Sequence, residues 1–211
     1  MRSAALICAI AWSLLLGSCG GTRANVVGSD TDLHLSGNWN DADSRTVADE
    51  LIPQCLGGGW LDAFAERAGR PPVVRVGHVA VRVQDLDEQI EPAIITEDVL
   101  RALKQGGAAR VVAAREEATT AGGIRDQRAE FAEHAAQAPA QGRELAPDYL
   151  LTGVLLSQND QVRDEGVATD TFRRVKFYQL TLSLVDVTTN EVAWSGSAER
   201  KKVIEQSSLE F

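Results

Sequence analysis

Apolar residues along the chain change their spacing repeatedly, and each change predicts an element. Val47, Leu51 and Cys55 recur at every fourth position, one stripe of an amphipathic helix. Asn40 is suited to cap that helix, and Asp41 and Asp43 fall in its first turn, where the backbone dipole favours negative charge. The spacing predicts about four turns, and Pro53 removes a backbone donor, which predicts a kink or break near Ile52. Gly57-Gly58-Gly59 ends the helix, and Trp60, Leu61 and Phe64 give a short second one its apolar face.

Pro71-Pro72 leads into a strand from Val73 to Val83, with alternation at Val79, Val81 and Val83. Pro92 suits the first position of a helix whose buried face is Ile95, Val99, Ala102 and Leu103, closed by Gly106-Gly107. Ala109 to Ala113 reads as a short strand, so strand, helix and strand follow in the order of a crossover. Residues 115–146 are rich in Ala and Gln, interrupted by Gly122-Gly123 and Pro139, and predict one or two exposed helices. Tyr149 to Ser157 is a strand, and the charged, Gly-containing stretch from Gln158 to Thr171 predicts a mobile hairpin loop. In the long strand from Val175 to Val187, Tyr178, Leu180, Leu182 and Leu184 share a face opposite Thr181 and Ser183. Thr188-Thr189-Asn190 is a tight turn, after which Glu191 to Val203 returns with Val192 and Trp194 inward. The sum is an α+β domain over residues 37–211, a mixed sheet of about four to five strands flanked by helices, with no internal repeat and no second domain.

The first eighteen residues do not belong to that domain. Arg2, an apolar run from Ala4 to Leu16 and small residues before Cys19 form the positive, apolar and cleavage regions of an export signal. The run is shorter than the roughly 20 apolar residues of a spanning helix. Leu16-Gly17-Ser18-Cys19 resembles the bacterial lipobox, which implies cleavage before Cys19 and a lipid on its thiol. Gly20 follows, where lipoproteins kept at an inner membrane often carry Asp, so an outer-membrane anchor facing the periplasm is expected. Residues 19–36 then read as a lipidated flexible tether that reaches at most about 60 Å fully stretched. Loss of residues 1–18 removes one charge, that of Arg2, so the formal net charge of −9 becomes −10. That balance argues against nucleic acid as a partner. With Cys8 removed and Cys19 acylated, Cys55 has no partner within the chain and reads as a small buried helix residue.

Candidate chemistry is sparse. His34, His78 and His134 are far apart and none has metal-ligand spacing; His78 reads as an ordinary strand residue. Gly57-Gly58-Gly59 lacks the second half of a phosphate cradle. Glu116-Glu117 and the Asp41/Asp43 pair read as surface or helix-start charges. No catalytic residue, cofactor, metal or small-molecule substrate is therefore expected.

The most specific stretch is Ser36-Gly37-Asn38-Trp39-Asn40-Asp41-Ala42-Asp43-Ser44-Arg45, with Asp41 and Arg45 spaced as an i, i+4 pair and Trp39 placed to pack before the cap. With Cys55-Leu56, Trp60-Leu61, Pro71-Pro72-Val73-Val74, Val111 to Glu117, Asp148-Tyr149, Phe177-Tyr178-Gln179 and the hairpin from Asp186 to Trp194, it resembles the penicillin-binding protein activator lipoproteins of the Lpo type, over about residues 36–204. The resemblance implies a fold similar to the N-terminal domain of the translocation protein TolB. It also implies a non-catalytic, outer-membrane-anchored regulator that binds a bifunctional class A penicillin-binding protein and stimulates its glycan polymerisation and peptide cross-linking. Two features depart from the family: the tether is short, and Pro53 interrupts a helix that is continuous elsewhere. An interface for such a partner calls for aromatic and arginine anchors. Trp39, Arg45, Arg173, Arg174 and Tyr178 are the candidates, with core packing the alternative for both aromatics. An adaptor for another envelope assembly, in secretion or transport, is the alternative function, and a peptidoglycan hydrolase a more remote one.

Overall fold

Alternation along one long strand organises the molecule. In the computed structural model, which describes residues 37–85, 88–112, 121–122, 145–165 and 169–209, that strand is β4 (Thr169–Asp186). It pairs antiparallel with β3 (Tyr149–Glu165) on one side and β5 (Val192–Leu209) on the other. β1 (Val73–Arg82) runs parallel to β3, and the short β2 (Arg110–Val112) parallel to β1, giving a five-stranded mixed sheet in the order β2-β1-β3-β4-β5. These elements all lie in one compact unit, Asp32–Phe211.

The helices follow the predicted stripes. α1 (Asp41–Leu56) buries Val47, Leu51 and Cys55. α2 (Trp60–Ala68) buries Trp60 and Phe64. α3 (Pro92–Gly106) buries Ile95, Val99, Ala102 and Leu103 and ends at Gly107 in the left-handed conformation. These faces meet Tyr149, Leu151, Leu155, Tyr178, Leu180, Leu182 and Leu184 in one apolar core. The expected helices of 115–146 lie outside the described residues apart from 121–122 and 145–146. No helix among the described residues is long and apolar enough to cross a membrane.

Three expectations are corrected. α1 runs unbroken through Pro53, so no break occurs near Ile52. Pro53 sits in the last turn, and both it and Asp49, whose carbonyl loses its donor, are exposed, so the carbonyl is open to solvent rather than buried unpaired. Gln158 to Thr171 is not a loop: β3 continues to Glu165 and β4 begins at Thr169, paired rung by rung from Ser157–Tyr178 to Glu165–Asp170. Gln158-Asn159-Asp160-Gln161 is polar at every position, so no period-2 apolar signal exists there, and backbone pairing alone carries the strands. Val192 faces solvent, 56% exposed. The ladder passes from Leu184–Trp194 to Val185–Val192, leaving Ala193 as an extra residue; this bulge turns Val192 outward while Trp194 stays against the core.

A second bulge lies in β1, where the pairing jumps from Val76–Leu151 to Val79–Gly153. It shifts the inward set to Val79 and Val81 and leaves His78 exposed. The turn from Val187 to Asn190 is held by the Asp186 carboxylate, which accepts from the Thr188 and Thr189 amides at 2.8 and 3.1 Å, with Asn190 at φ 60°.

Candidate functional site

β1 stops at Arg82, opposite Leu156 of β3, whereas β3, β4 and β5 continue together as a three-stranded ribbon. Where the ribbon leaves the domain, the inward alternation of β4 places a lysine, Lys176, one step beyond Tyr178. Lys176 is 2% exposed. Its ammonium donates to Asn38 Oδ1 at 2.5 Å, Asp85 Oδ2 at 3.0 Å and Glu88 Oε2 at 3.2 Å, so each of its three N–H bonds has an acceptor. The other oxygen of buried Glu88 accepts from the Tyr178 hydroxyl at 2.6 Å and the Trp39 amide at 2.8 Å. Across the rung from Lys176, Lys202 donates to the Asn38 carbonyl at 2.7 Å and to Asp43. Arg174 approaches Asp85 at 3.8 Å. Three cations, Arg174, Lys176 and Lys202, thus balance three anions, Asp43, Asp85 and Glu88.

Local sequence explains how α1 enters this cluster. Asn40 Oδ1 accepts from the Asp43 amide at 3.0 Å and Asp43 Oδ2 from the Asn40 amide at 2.9 Å, a reciprocal capping box. The carboxylate that caps the helix therefore also meets Lys202. Trp39, just before the cap, lies 5.5 Å from Tyr178 between ring centres and donates its indole N–H to buried Ser44 at 2.7 Å. Burial, then the adjoining Glu88 carboxylate, pushes the Tyr178 hydroxyl far above its ordinary range, so it remains a protonated donor. A cleft of about 360 Å³ opens beside the cluster between Gly37, Asp43 and the β5 residues Arg200 to Val203.

Such an arrangement ties three segments, residues 37–40, Asp85 to Glu88 and the root of the ribbon, to one point. Each buried ion costs several kcal/mol to desolvate, so the cluster acts more as a device for fixing one geometry than as a net source of stability. Among the described residues no group of three or more His, Cys, Asp or Glu is arranged to hold a metal ion. Cys55 is fully buried, and burial raises its thiol to about 12 against a weaker lowering by the Trp60 hydrogen bond.

At the opposite end of the strands, Arg70 makes a two-pronged contact with Asp148 at 2.8 and 2.8 Å, and Asp148 also accepts from the Val73 amide at 2.8 Å. The Arg70 hydrogen bond, aided by that amide, holds the Asp148 carboxyl below its usual range.

The five interface candidates separate. Trp39 and Tyr178 are interior, 8% and 0% exposed, and pack against each other with rings tilted by 57°, so the alternative of core packing describes both. Arg45 lies on α1, 3.7 Å from Asp41, in the expected i, i+4 pair. Arg173 pairs with Glu205 at 2.8 Å, and as neighbours on a strand Arg173 and Arg174 point to opposite faces of the ribbon. The three arginines therefore form no common patch. Cys19 lies outside the described residues. Sequence reasoning missed Asn38, Asp85, Glu88, Lys176 and Lys202. For Lys176 the signal was present: it occupies an inward position in the series Tyr178, Leu180, Leu182, Leu184, and a lysine there requires a buried carboxylate partner.

Among solved structures, the chain is similar to the C-terminal domain of LpoB from Salmonella enterica, with 16% identity, 75% of this chain and 98% of that chain covered, and a TM-score of 0.41. The corresponding domain from Escherichia coli shows 18% identity over 78% of this chain and 99% of that chain, with a TM-score of 0.38. Lipoprotein GNA1162 from Neisseria meningitidis shows 15% identity over 63% and 84%, with a TM-score of 0.35. No curated protein matches the sequence. The model of the family described as "Peptidoglycan-synthase activator LpoB" matches residues 43–200, from the first turn of α1 to the root of the ribbon in β5, and the chain belongs to that family.

Proposed function

We propose that this chain is a lipid-anchored, non-catalytic activator of a bifunctional class A penicillin-binding protein, acting by binding it in the periplasm. The supporting observation is the family match over residues 43–200, which takes in nearly all of α1, strands β1 to β4, the first part of β5 and five of the six charged residues of the buried cluster, Asp43, Asp85, Glu88, Arg174 and Lys176, with Lys202 just beyond it. In this reading residues 1–18 are removed as a signal peptide, Cys19 carries the lipid at the outer membrane, residues 19–36 are the tether, and residues 37–211 are the domain that meets the synthase. Arg45, Arg173 and Arg174 are offered as surface contacts, while Trp39 and Tyr178 act indirectly by holding the root of the ribbon in place. No cofactor, small-molecule substrate or nucleic acid enters the mechanism.

Glycan polymerisation by the host's class A synthase, measured with and without the purified protein, tests the central claim. A higher rate with the protein present is expected, and an unchanged rate overturns activation. Recovery of a secretion or transport complex from envelope extract, with no penicillin-binding protein, favours an adaptor role instead. Mass spectrometry of the native protein tests the anchor: a diacylated amino-terminal Cys19 is expected, and an intact Met1 with a free thiol refutes it.

A further inference from the structure

β5 is the last strand of the sheet, so one side of its backbone faces no other strand. Ladder parity fixes which groups lie on that side. Asp186 donates its amide to the Glu191 carbonyl at 2.9 Å and Val187 donates to the Asp148 carbonyl at 3.0 Å, so even-numbered residues of β4 bond toward β5 and odd-numbered ones toward β3. The rung partners Tyr178–Arg200, Lys176–Lys202 and Arg174–Ile204 carry that parity into β5. Glu199, Lys201, Val203 and Glu205 therefore turn their amides and carbonyls to the free edge. The cleft beside the buried cluster follows this edge. Arg200 and Lys202, with inward side chains, and Lys201 and Val203, with outward ones, all line it, and residues of both faces border one cleft only where it runs along the backbone.

We propose that the free edge of β5 at residues 199–203 is a docking site for an extended segment of a partner protein, which joins the sheet as a sixth strand and carries an apolar, an acidic and a basic side chain at alternate positions. Charge complementarity names that chemistry. Arg200 is matched by Glu50 at 3.0 Å, Lys202 by Asp43 and Glu205 by Arg173 at 2.8 Å, whereas Glu199 and Lys201 are exposed and form no ion pair among the described residues. Opposite charges on neighbouring strands attract and like charges repel, so Lys201 selects an acidic neighbour and Glu199 a basic one. Val203, 56% exposed, offers an apolar neighbour next in line. Main-chain bonds to the edge supply the affinity and these side chains the selectivity. Long edge strands are ordinarily blocked by a bulge or a proline as well as by charge. Here the bulge lies away at Ala193 and no proline occurs in Val192–Leu209. The Lys176 and Lys202 contacts fix β4 and β5 at this height, so the edge is already ordered before a partner arrives. Gly37 and Asp43, across the cleft, leave room for the inward side chains of the added strand.

Nuclear magnetic resonance of the isotope-labelled full chain in detergent, titrated with a synthetic peptide, tests the docking independently of the activator reading above. The peptide Thr-Val-Thr-Glu-Thr-Lys-Thr, blocked at both ends, places Val, Glu and Lys opposite Val203, Lys201 and Glu199 when it runs antiparallel to β5. By about 1 mM peptide, the Lys201 and Val203 amide protons are expected to move downfield as they gain acceptors, while those of Arg200 and Lys202, already bonded to β4, move less. A peptide with its Glu and Lys exchanged is expected to bind at least about fivefold more weakly, and Lys201→Glu to remove that preference while leaving the amides of α1 and α3 unchanged. No shift at Lys201 and Val203 by about 1 mM overturns the proposal, as does equal binding of the two peptides. Slow exchange of the Lys201 and Val203 amides in the free chain also overturns it, because the edge is then already paired by the chain itself. Signals at these residues that change on dilution without peptide overturn it too, since a second copy then holds the edge.

Discussion

β4 passes through two environments without a break in its pairing. From Tyr178 to Leu184 its inward side chains are 0–1% exposed and pack under helices, and the strand is held by apolar burial. From Thr169 to Val175 the same ladder continues between β3 and β5, yet Ile204, the inward-facing partner of Arg174, is only half-buried. Between them stands Lys176 with its carboxylates. The comparison shows that strand pairing alone can extend a sheet well beyond its core, provided that the point of exit is fixed. Here ions and hydrogen bonds fix it where apolar contact runs out. A register slip of one residue would carry Lys176 to the solvent face and leave Glu88 buried without its cation, so the cluster penalises slippage in a ribbon whose own sequence does not.

Removing the pin should have the largest effect. Lys176→Ala leaves Glu88 and Asp85 without their shared cation, and equilibrium unfolding in urea should show a loss of about 3–5 kcal/mol. The paired change Lys176→Met with Glu88→Gln should recover part of it, because both buried charges go together. A loss below about 1 kcal/mol for the single change would mean that the cluster is not what holds the two regions in register. Next in size is the core itself: Leu182→Ala, at a fully buried inward position, should cost about 3 kcal/mol, whereas Ile204→Ala, at a half-buried inward position on the ribbon, should cost about 1 kcal/mol. Equal costs at the two sites would erase the distinction between them.

How much of this was legible in the sequence follows the same division. Where one face of an element is buried, the period of apolar residues names it: the buried set of α3 is the predicted Ile95, Val99, Ala102 and Leu103, and β4 shows Tyr178, Leu180, Leu182 and Leu184 inward. The ribbon has no such period, because Gln158 to Gln161 meet solvent or polar neighbours on both faces, and so it reads as a loop. The bulge at Ala193 is equally silent, since nothing in Val192-Ala193-Trp194 announces which residue will be extra. The cluster was half legible. Lys176 breaks an apolar series and demands a partner, but Glu88 comes from a stretch of acidic residues, Asp85 to Glu91, with no local reason to single it out; only the tertiary fold selects it. Asp43 was read as a helix-start charge, which is correct as far as it goes, and its second role toward Lys202 spans 159 residues of sequence.

A third test contrasts the buried cluster with the clamp at the far end of the strands. Asp148 has a carboxyl held below its ordinary range by Arg70, so its contribution to stability is fully present above the unfolded carboxyl range near pH 4 and is lost as pH falls through the lower folded value. Asp148→Asn should therefore lower the melting temperature at pH 7 and leave a shrinking difference from the unaltered protein as pH drops from 5 toward 2. A difference that grows on acidification would show that the clamp is not the source.

The smallest expected effect lies on the ribbon. Arg173 and Glu205 are direct rung partners with nitrogen and oxygen 2.8 Å apart, a geometry no worse than that within the buried cluster, but their side chains are 55% and 56% exposed. Water and salt screen such a pair, and holding two long side chains in one arrangement offsets much of the attraction, so a double-mutant cycle with Arg173→Ala and Glu205→Ala should give a coupling of about 0.5 kcal/mol or less. Raising the salt to about 1 M, where charges more than roughly 3 Å apart are screened, should remove even that. A salt-insensitive coupling above about 1.5 kcal/mol would mean that this outward face of the ribbon is shielded from solvent in the folded protein.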